Sequence, residues 1–207
     1  MNAALTASAL SHHRNSDAPG LTVLPPLVLA AGRLHEFCGS ARRTLAAMAA
    51  GQGAGAVFWV APSWTLGGPN PCGLQRFADP GRFLFLGPDR ADDLYWVMEE
   101  VLRSGLISLV VADLPAPPGL TQVRRLHLAA ETGSAQGVAT TGIILTPDAG
   151  GAQGIESRWQ FQPRHSPATG ECWHLERLRA RNAPRAAWSI RCADKGYAAS
   201  PAEVAAA

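Results

Sequence analysis

Apolar residues in the middle of the chain alternate between two spacings. Short unbroken runs at Val57–Val60, Phe83–Leu86 and Ile107–Val111 read as strands covered on both faces. Between them, Leu94, Val97, Met98, Val101 and Leu102 recur at i, i+3, i+4, i+7 and i+8, which places them on one face of a helix over Asp92–Ser104. Asp89, Asp92 and Asp93 at its start and Arg103 in its last turn suit the helix dipole, and Gly105 stops it. Arg33–Phe37 predicts a short strand and Ala41–Ala50 an Ala-rich helix, with a turn over Gly51–Gly55. Leu120–Glu131 predicts a second amphipathic helix capped by Gly133, and Gly142–Leu145 a closing strand. Strand and helix in alternation with short connections is the pattern of a mostly parallel sheet flanked by helices. The fold class expected for residues 32–147 is therefore α/β.

The pattern changes after Pro147. A Gly-rich linker, Asp148–Gly154, leads into strands without helices at Ser157–Gln162, Cys172–Arg181 and Ala187–Arg191. Pro163, Pro167, Gly170, Asn182 and Pro184 sit in the connections, so residues 148–207 read as an antiparallel β extension. The tail from Ala193 to Ala207 is small and polar and is expected to fray. Residues 1–31 read as an N-terminal arm, part of it disordered, with His12-His13 and turn-forming residues and little periodicity.

Composition narrows the chemistry. The 207 residues are 47% hydrophobic and 16% charged, enough to bury a core. A net charge of +2 selects no partner. No run approaches the ~20 apolar residues of a membrane span, the apolar stretch Leu21–Ala31 is broken by Pro25-Pro26, and no leader pattern opens the chain. Four cysteines do not suggest a disulfide scaffold. A cytoplasmic location is expected. Of the 18 basic residues 17 are arginine, and Lys195 is the single lysine.

That last count matters at Arg33–Leu45, a strand, loop and helix placed where a phosphate loop sits in an α/β nucleotide-binding fold. A working loop needs several glycines to wrap the phosphates, a lysine on the terminal phosphate and a Ser or Thr on magnesium. Here Gly39 and Thr44 remain, the loop is short, and Arg42 and Arg43 occupy the neighbourhood of the missing lysine. Other motifs fail. His35-Glu36 opens the zinc-protease pattern, but Gly39 stands where its second histidine belongs. His35-x-x-Cys38 and Cys172-x-His174 are far apart in sequence and read as ordinary strand residues, so no metal is expected. No nucleophile elbow is present. His127, beside Arg124 and Arg125, reads as a surface or interface residue.

Residues Leu34-His35-Glu36 leading to Gly39, Pro88-Asp89, Met98–Gly105, Ser108–Leu114 and Arg124–Glu131 lie in an order and spacing that resembles the RecA-type core, and most closely the ImuA family. The Trp-rich C-terminal strands, with Trp159, Trp173 and Trp188, suit that family too. The resemblance spans about three quarters of the chain. It implies a RecA-like frame in which Pro62 stands where the water-activating glutamate belongs and Asp113 matches the acidic residue of the magnesium strand. Asp113 also reads simply as a residue bonding its own turn. With the loop glycines, the lysine and the base gone, little hydrolysis is expected. No catalytic residue and no cofactor is expected; Gly39, Arg42, Arg43, Thr44 and Asp113 are the vestige of a nucleotide site.

The resemblance implies an adaptor in damage-induced, error-prone translesion synthesis. It would link an ImuB-like polymerase homologue and its C-family polymerase to RecA or damaged DNA. Two surfaces are candidates for such contacts. On the strand over Cys172–Arg181, Trp173, Leu175, Arg177, Arg179 and Arg181 share one side unless a bulge intervenes, with Arg185 nearby. Arg124 and Arg125 point outward from their helix. A solvated face is the plain alternative for both. Two other readings of the whole chain stand beside the adaptor. One is a SulA-like inhibitor of cell division; the other is a residual ATPase in which Arg42 or Arg43 replaces the lysine.

Overall fold

The computed structural model describes residues 20–65, 68–193 and 196–204. Eleven strands are seen among them: β1 (Gly20–Leu24), β2 (Leu27–Ala30), β3 (Leu34–Cys38), β4 (Val57–Val60), β5 (Phe83–Leu86), β6 (Leu109–Asp113), β7 (Thr141–Leu145), β8 (Ser157–Pro163), β9 (Cys172–Ala180), β10 (Ala186–Cys192) and β11 (Tyr197–Ala202). The helices are α1 (Arg42–Gln52), α2 (Pro71–Leu74), α3 (Ala91–Ser104) and α4 (Leu120–Gln136). Nine strands form one sheet in the order β11-β10-β9-β8-β3-β7-β6-β4-β5. From β8 to β5 the pairings are parallel, and from β8 to β11 they are antiparallel. The protein is α/β, as the alternation of spacings predicts. The C-terminal strands extend the same sheet, because β8 pairs directly with β3.

The sheet separates two apolar layers. On one face α1 packs with Phe37, Trp59, Val111 and Ile143, and this layer continues under β8–β10 through Trp159, Phe161, Trp173 and Ile190. On the other face α3 and α4 cover Leu34, Val60, Val110 and Ile144. Every residue of β3, β6 and β7 is buried, which is why those segments carry no clean alternation.

Four elements depart from the expectation. Residues 20–30, within the expected arm, form a hairpin turning at Pro25-Pro26. Leu27 and Leu29 are fully buried against α1. An Ala-rich helix buried over six consecutive residues, Leu45–Ala50, needs cover on both sides, and the hairpin supplies the second. The disorder expected in the arm falls on residues 1–19, outside the described residues. The tail does not fray at 197–202, where β11 pairs with β10 over six residues. On β9 the register slips at Leu178, with Arg158 opposite Arg179 and Trp159 opposite Arg177. The period of two therefore breaks there.

The fourth departure is Gly133, which lies inside α4 rather than at its end. The reason is a close crossing. A Cβ at Gly133 would stand 2.0 Å from the Leu102 carbonyl oxygen, where the end of α3 meets α4. Gly133→Ala is therefore expected to force the helices apart and cost about 2–3 kcal/mol. A lowered urea midpoint at unchanged slope checks this, and an unchanged midpoint refutes it.

Candidate functional site

Ligands of parallel α/β sheets bind at the carboxyl ends of the strands. Here β3 ends at Cys38 and β6 at Asp113, with β7 between them. The chain leaves β3 through Gly39, whose φ of 87° favours glycine, and a Cβ there would lie 2.6 Å from the Phe161 carbonyl oxygen. Two of the turn's N–H groups are already engaged. Gly39 N–H donates to the Asp148 carbonyl at 2.9 Å, and Ala41 N–H to the Phe161 carbonyl at 3.1 Å. Protein carbonyls thus hold donors that a phosphate loop turns to its ligand.

Asp113 is equally committed. Its side chain is buried, Arg43 Nε donates to Oδ2 at 2.5 Å, and Arg42 Nη2 lies 3.9 Å from Oδ1. Arg42 also donates to the Gly39 carbonyl at 3.3 Å. Four of the five residues expected at this site, Gly39, Arg42, Arg43 and Asp113, therefore share one cluster at the start of α1. Thr44 follows in the same turn, half-buried. Asp113 bonds arginines of α1 rather than its own turn, contrary to the simplest reading of its position.

The basic residues expected on the surfaces mostly have internal partners. Arg125 Nη2 lies 2.7 Å from Glu99 Oε2, and Arg103 takes the other oxygen of Glu99. The Arg177 guanidinium lies over the rings of Trp159 and Trp188, at 5.5 and 5.3 Å, and donates to the Pro184 carbonyl. Arg185 meets Glu176 at 2.7 Å and Arg181 meets Glu156 at 3.2 Å. Arg179, beyond the bulge, is exposed, and Arg124 lines a groove of about 540 Å³ with Arg33, His127 and Arg181. The basic side of β9 is thus interrupted: Arg177 lies over the tryptophan rings, while Arg179 falls past the change of phase.

The most constrained polar group is Glu36, which the sequence offers only within a failed zinc-protease pattern and among the residues that carry the family resemblance, with no role of its own. It is wholly buried on β3. It accepts from Thr146 Oγ1 at 2.7 Å, Gly151 N at 2.8 Å, Ala152 N at 3.2 Å and Arg158 Nε at 2.5 Å. No local pattern announces this, because the partners are at least 110 residues away.

Two histidines lie at the start of β3, His35 buried and His127 half-buried, without forming a catalytic pair. His35 Nε2–H donates to the Ala30 carbonyl, which leaves Nδ1 to accept from Ser157 Oγ at 2.7 Å. That hydroxyl in turn accepts from Trp159 Nε1. His127 Nδ1 accepts the Leu34 N–H at 3.2 Å, so this half-buried residue fixes the start of β3 as well as lining the Arg124 groove. Burial lowers both imidazoles to a pKa of about 4. Burial, with the Glu36 carboxylate adding to it, raises the Cys38 thiol to about 12, which removes it as a nucleophile near neutrality.

A second concavity lies at the ends of β4 and β5. It is an apolar cleft of about 690 Å³ bordered by Trp59, Pro62, Phe85 and Pro69–Pro71. The exposed run at β5 that borders it has, in the sequence, the pattern of another buried strand.

No protein-family model matches the chain, and no curated protein matches it.

Two expectations follow from these groups. Glu36→Ala strands Arg158 in the interior and is expected to cost about 3–5 kcal/mol, whereas Arg43→Ala, with its side chain 45% exposed, is expected to cost about 1 kcal/mol or less. Equal losses in chemical unfolding contradict this ranking. The histidines fix a pH dependence. Their folded pKa values lie below the unfolded one, so the unfolded chain binds two extra protons between pH 6.5 and about 4. Stability is whole above that window and falls through it, by on the order of 3 kcal/mol per histidine at the acid end. His127→Asn keeps an acceptor for Leu34 and removes about half of the loss. A flat stability profile from pH 7 to 4 in the parent chain contradicts the assignment.

Proposed function

We propose that the chain is a non-catalytic adaptor on a RecA-like frame, resembling the ImuA family. In this reading it acts in damage-induced, error-prone translesion DNA synthesis. It holds an ImuB-like polymerase homologue, with its C-family polymerase, near RecA or damaged DNA. The observation that carries the reading is the internal satisfaction of the phosphate-loop position. Asp148 and Phe161 carbonyls take the Gly39 and Ala41 N–H groups, and Arg42 and Arg43 take Asp113. Phosphoryl transfer relies on donors and a metal-binding carboxylate aimed at the nucleotide. Here those groups are aimed at one another. The ion pairing of Asp113 also counts against a residual ATPase that uses Arg42 or Arg43 on a phosphate.

A partner-binding role then falls to the outer surfaces. Arg124 and Arg179 are the two of the six expected arginines with no ion pair, side-chain hydrogen bond or aromatic contact among the described residues; Arg177, also without an ion pair, is held by Trp159, Trp188 and the Pro184 carbonyl. Arg124 and Arg179 are the first to mutate in mapping contacts with DNA or an acidic partner.

The purified chain is expected to turn over no ATP above a protein-free control and to co-purify with the ImuB-like homologue. Its deletion is expected to lower damage-induced mutation without changing cell length. ATP turnover that Asp113→Ala abolishes overturns the reading. Filamentous growth on expression, with mutation frequency unchanged, supports the SulA-like division inhibitor in its place.

A further inference from the structure

The two edges of the sheet are treated differently. At one end β11 carries Pro201 and, beyond Tyr197, only small residues, which blunts it against further pairing. At the other end β5 reads Phe-Leu-Phe-Leu with no charge and no proline, and Leu84, Phe85 and Leu86 are 47%, 48% and 38% exposed. Among the described residues no strand pairs with β5 on its outer side, and an apolar edge open in this way is a site for strand addition.

The backbone fixes how a strand can be added. The Leu86 and Pro88 carbonyls turn inward, accepting from Ala61 and Ser63. Alternate residues point the other way, so the N–H and C=O of Phe85 and Gly87 and the C=O of Phe83 face outward. Phe83 N–H also turns from β4, bonding Pro80 in the preceding turn. Pro80 and Pro88 bracket the usable edge to five residues.

We propose that this edge pairs with its own copy: two chains join antiparallel through β5, with Phe85 on the two-fold axis. This register gives two hydrogen bonds between the paired Phe85 backbones. Two more run from Gly87 N–H of each chain to Phe83 C=O of the other. Side chains match as well. Phe85 meets Phe85 on the face of the Trp59 cleft, and Leu84 of each copy meets Leu86 of the other on the opposite face. The seam is short, below the ~1,200 Å² of a standard interface, so the dimer is concentration-dependent rather than obligate. This inference does not depend on the function proposed above.

Analytical ultracentrifugation of the whole chain from about 1 µM to about 500 µM tests it. A reversible monomer–dimer equilibrium is expected. Phe85→Arg, which sets two guanidinium groups on the axis, should leave only monomer with its unfolding midpoint unchanged. The register is read by crosslinking in a Cys72→Ser, Cys192→Ser background, since both of those thiols are exposed. Under mild oxidation Phe85→Cys should crosslink to itself. Leu84→Cys should not do so alone, but should crosslink when mixed with Leu86→Cys. A parent chain that stays monomeric throughout overturns the proposal. So does a Phe85→Arg variant that dimerises like the parent, or a Leu84→Cys variant that crosslinks to itself as fast as Phe85→Cys.

Discussion

The buried carboxylate of Glu36 is where the two halves of this sheet are joined. Glu36 lies on β3, between the parallel strands on one side and β8 with its antiparallel partners on the other. An isolated charge at that depth would cost several kcal/mol. Here donors from the end of β7, the following loop and β8 surround it: Thr146, Gly151, Ala152 and Arg158. Gly150 is part of the same construction, since a Cβ there would lie 2.6 Å from Glu36 Oε1. The Gly-rich stretch between β7 and β8 reads as a linker but folds as the wall of a polar socket. Its backbone is ordered by what it solvates.

That socket also shapes the turn after β3. Once the 147–154 loop is drawn onto Glu36, the Asp148 carbonyl is in reach of Gly39 N–H, and β8 brings the Phe161 carbonyl to Ala41. The strand that completes the sheet thus also closes the position where a phosphate would be wrapped. The groups at this position and the joining of the sheet's halves are coupled through one carboxylate and its ligands.

What the sequence disclosed follows from the range of each interaction. β4 and β5 have the expected bounds because a short apolar run between turns is a local signal, and α3 keeps its stop and the expected Leu94, Met98 and Leu102 face while starting one residue earlier, at Ala91. Long-range facts were hidden. Gly133 reads as a cap, and only the approach of Leu102 explains it. The hairpin over 20–30 is specified by the need of α1 for a second apolar cover, which no local pattern around Pro25-Pro26 expresses. The candidate site was legible as a set of residues, Gly39, Arg42, Arg43 and Asp113, but not as an internal ion pair, because Asp113 is 70 residues from Arg43. The exposure of β5 was illegible for another reason. An edge strand and a central strand of this kind have the same composition, and only the strand order tells them apart.

The arginine excess has a structural use. A preference for arginine over lysine suggests phosphate or nucleic-acid recognition, since the planar guanidinium suits both. Much of it is spent inside the molecule. Arg158 closes the Glu36 socket, Arg43 holds Asp113, and Arg103 and Arg125 share Glu99 across α3 and α4. Arg82 bonds the carbonyls of Ala50 and Gly55, and Arg177 lies against two tryptophans. Arg158, Arg103 and Arg82 each use two donors set in a fixed fork, and Arg177 uses a flat face, geometries that a compact ammonium group does not match. An α/β frame whose strand ends present carbonyls and carboxylates to its own interior needs such fixed, multiply bonding cations. The same composition that reads as a ligand-binding bias therefore serves first to hold the sheet to its helices.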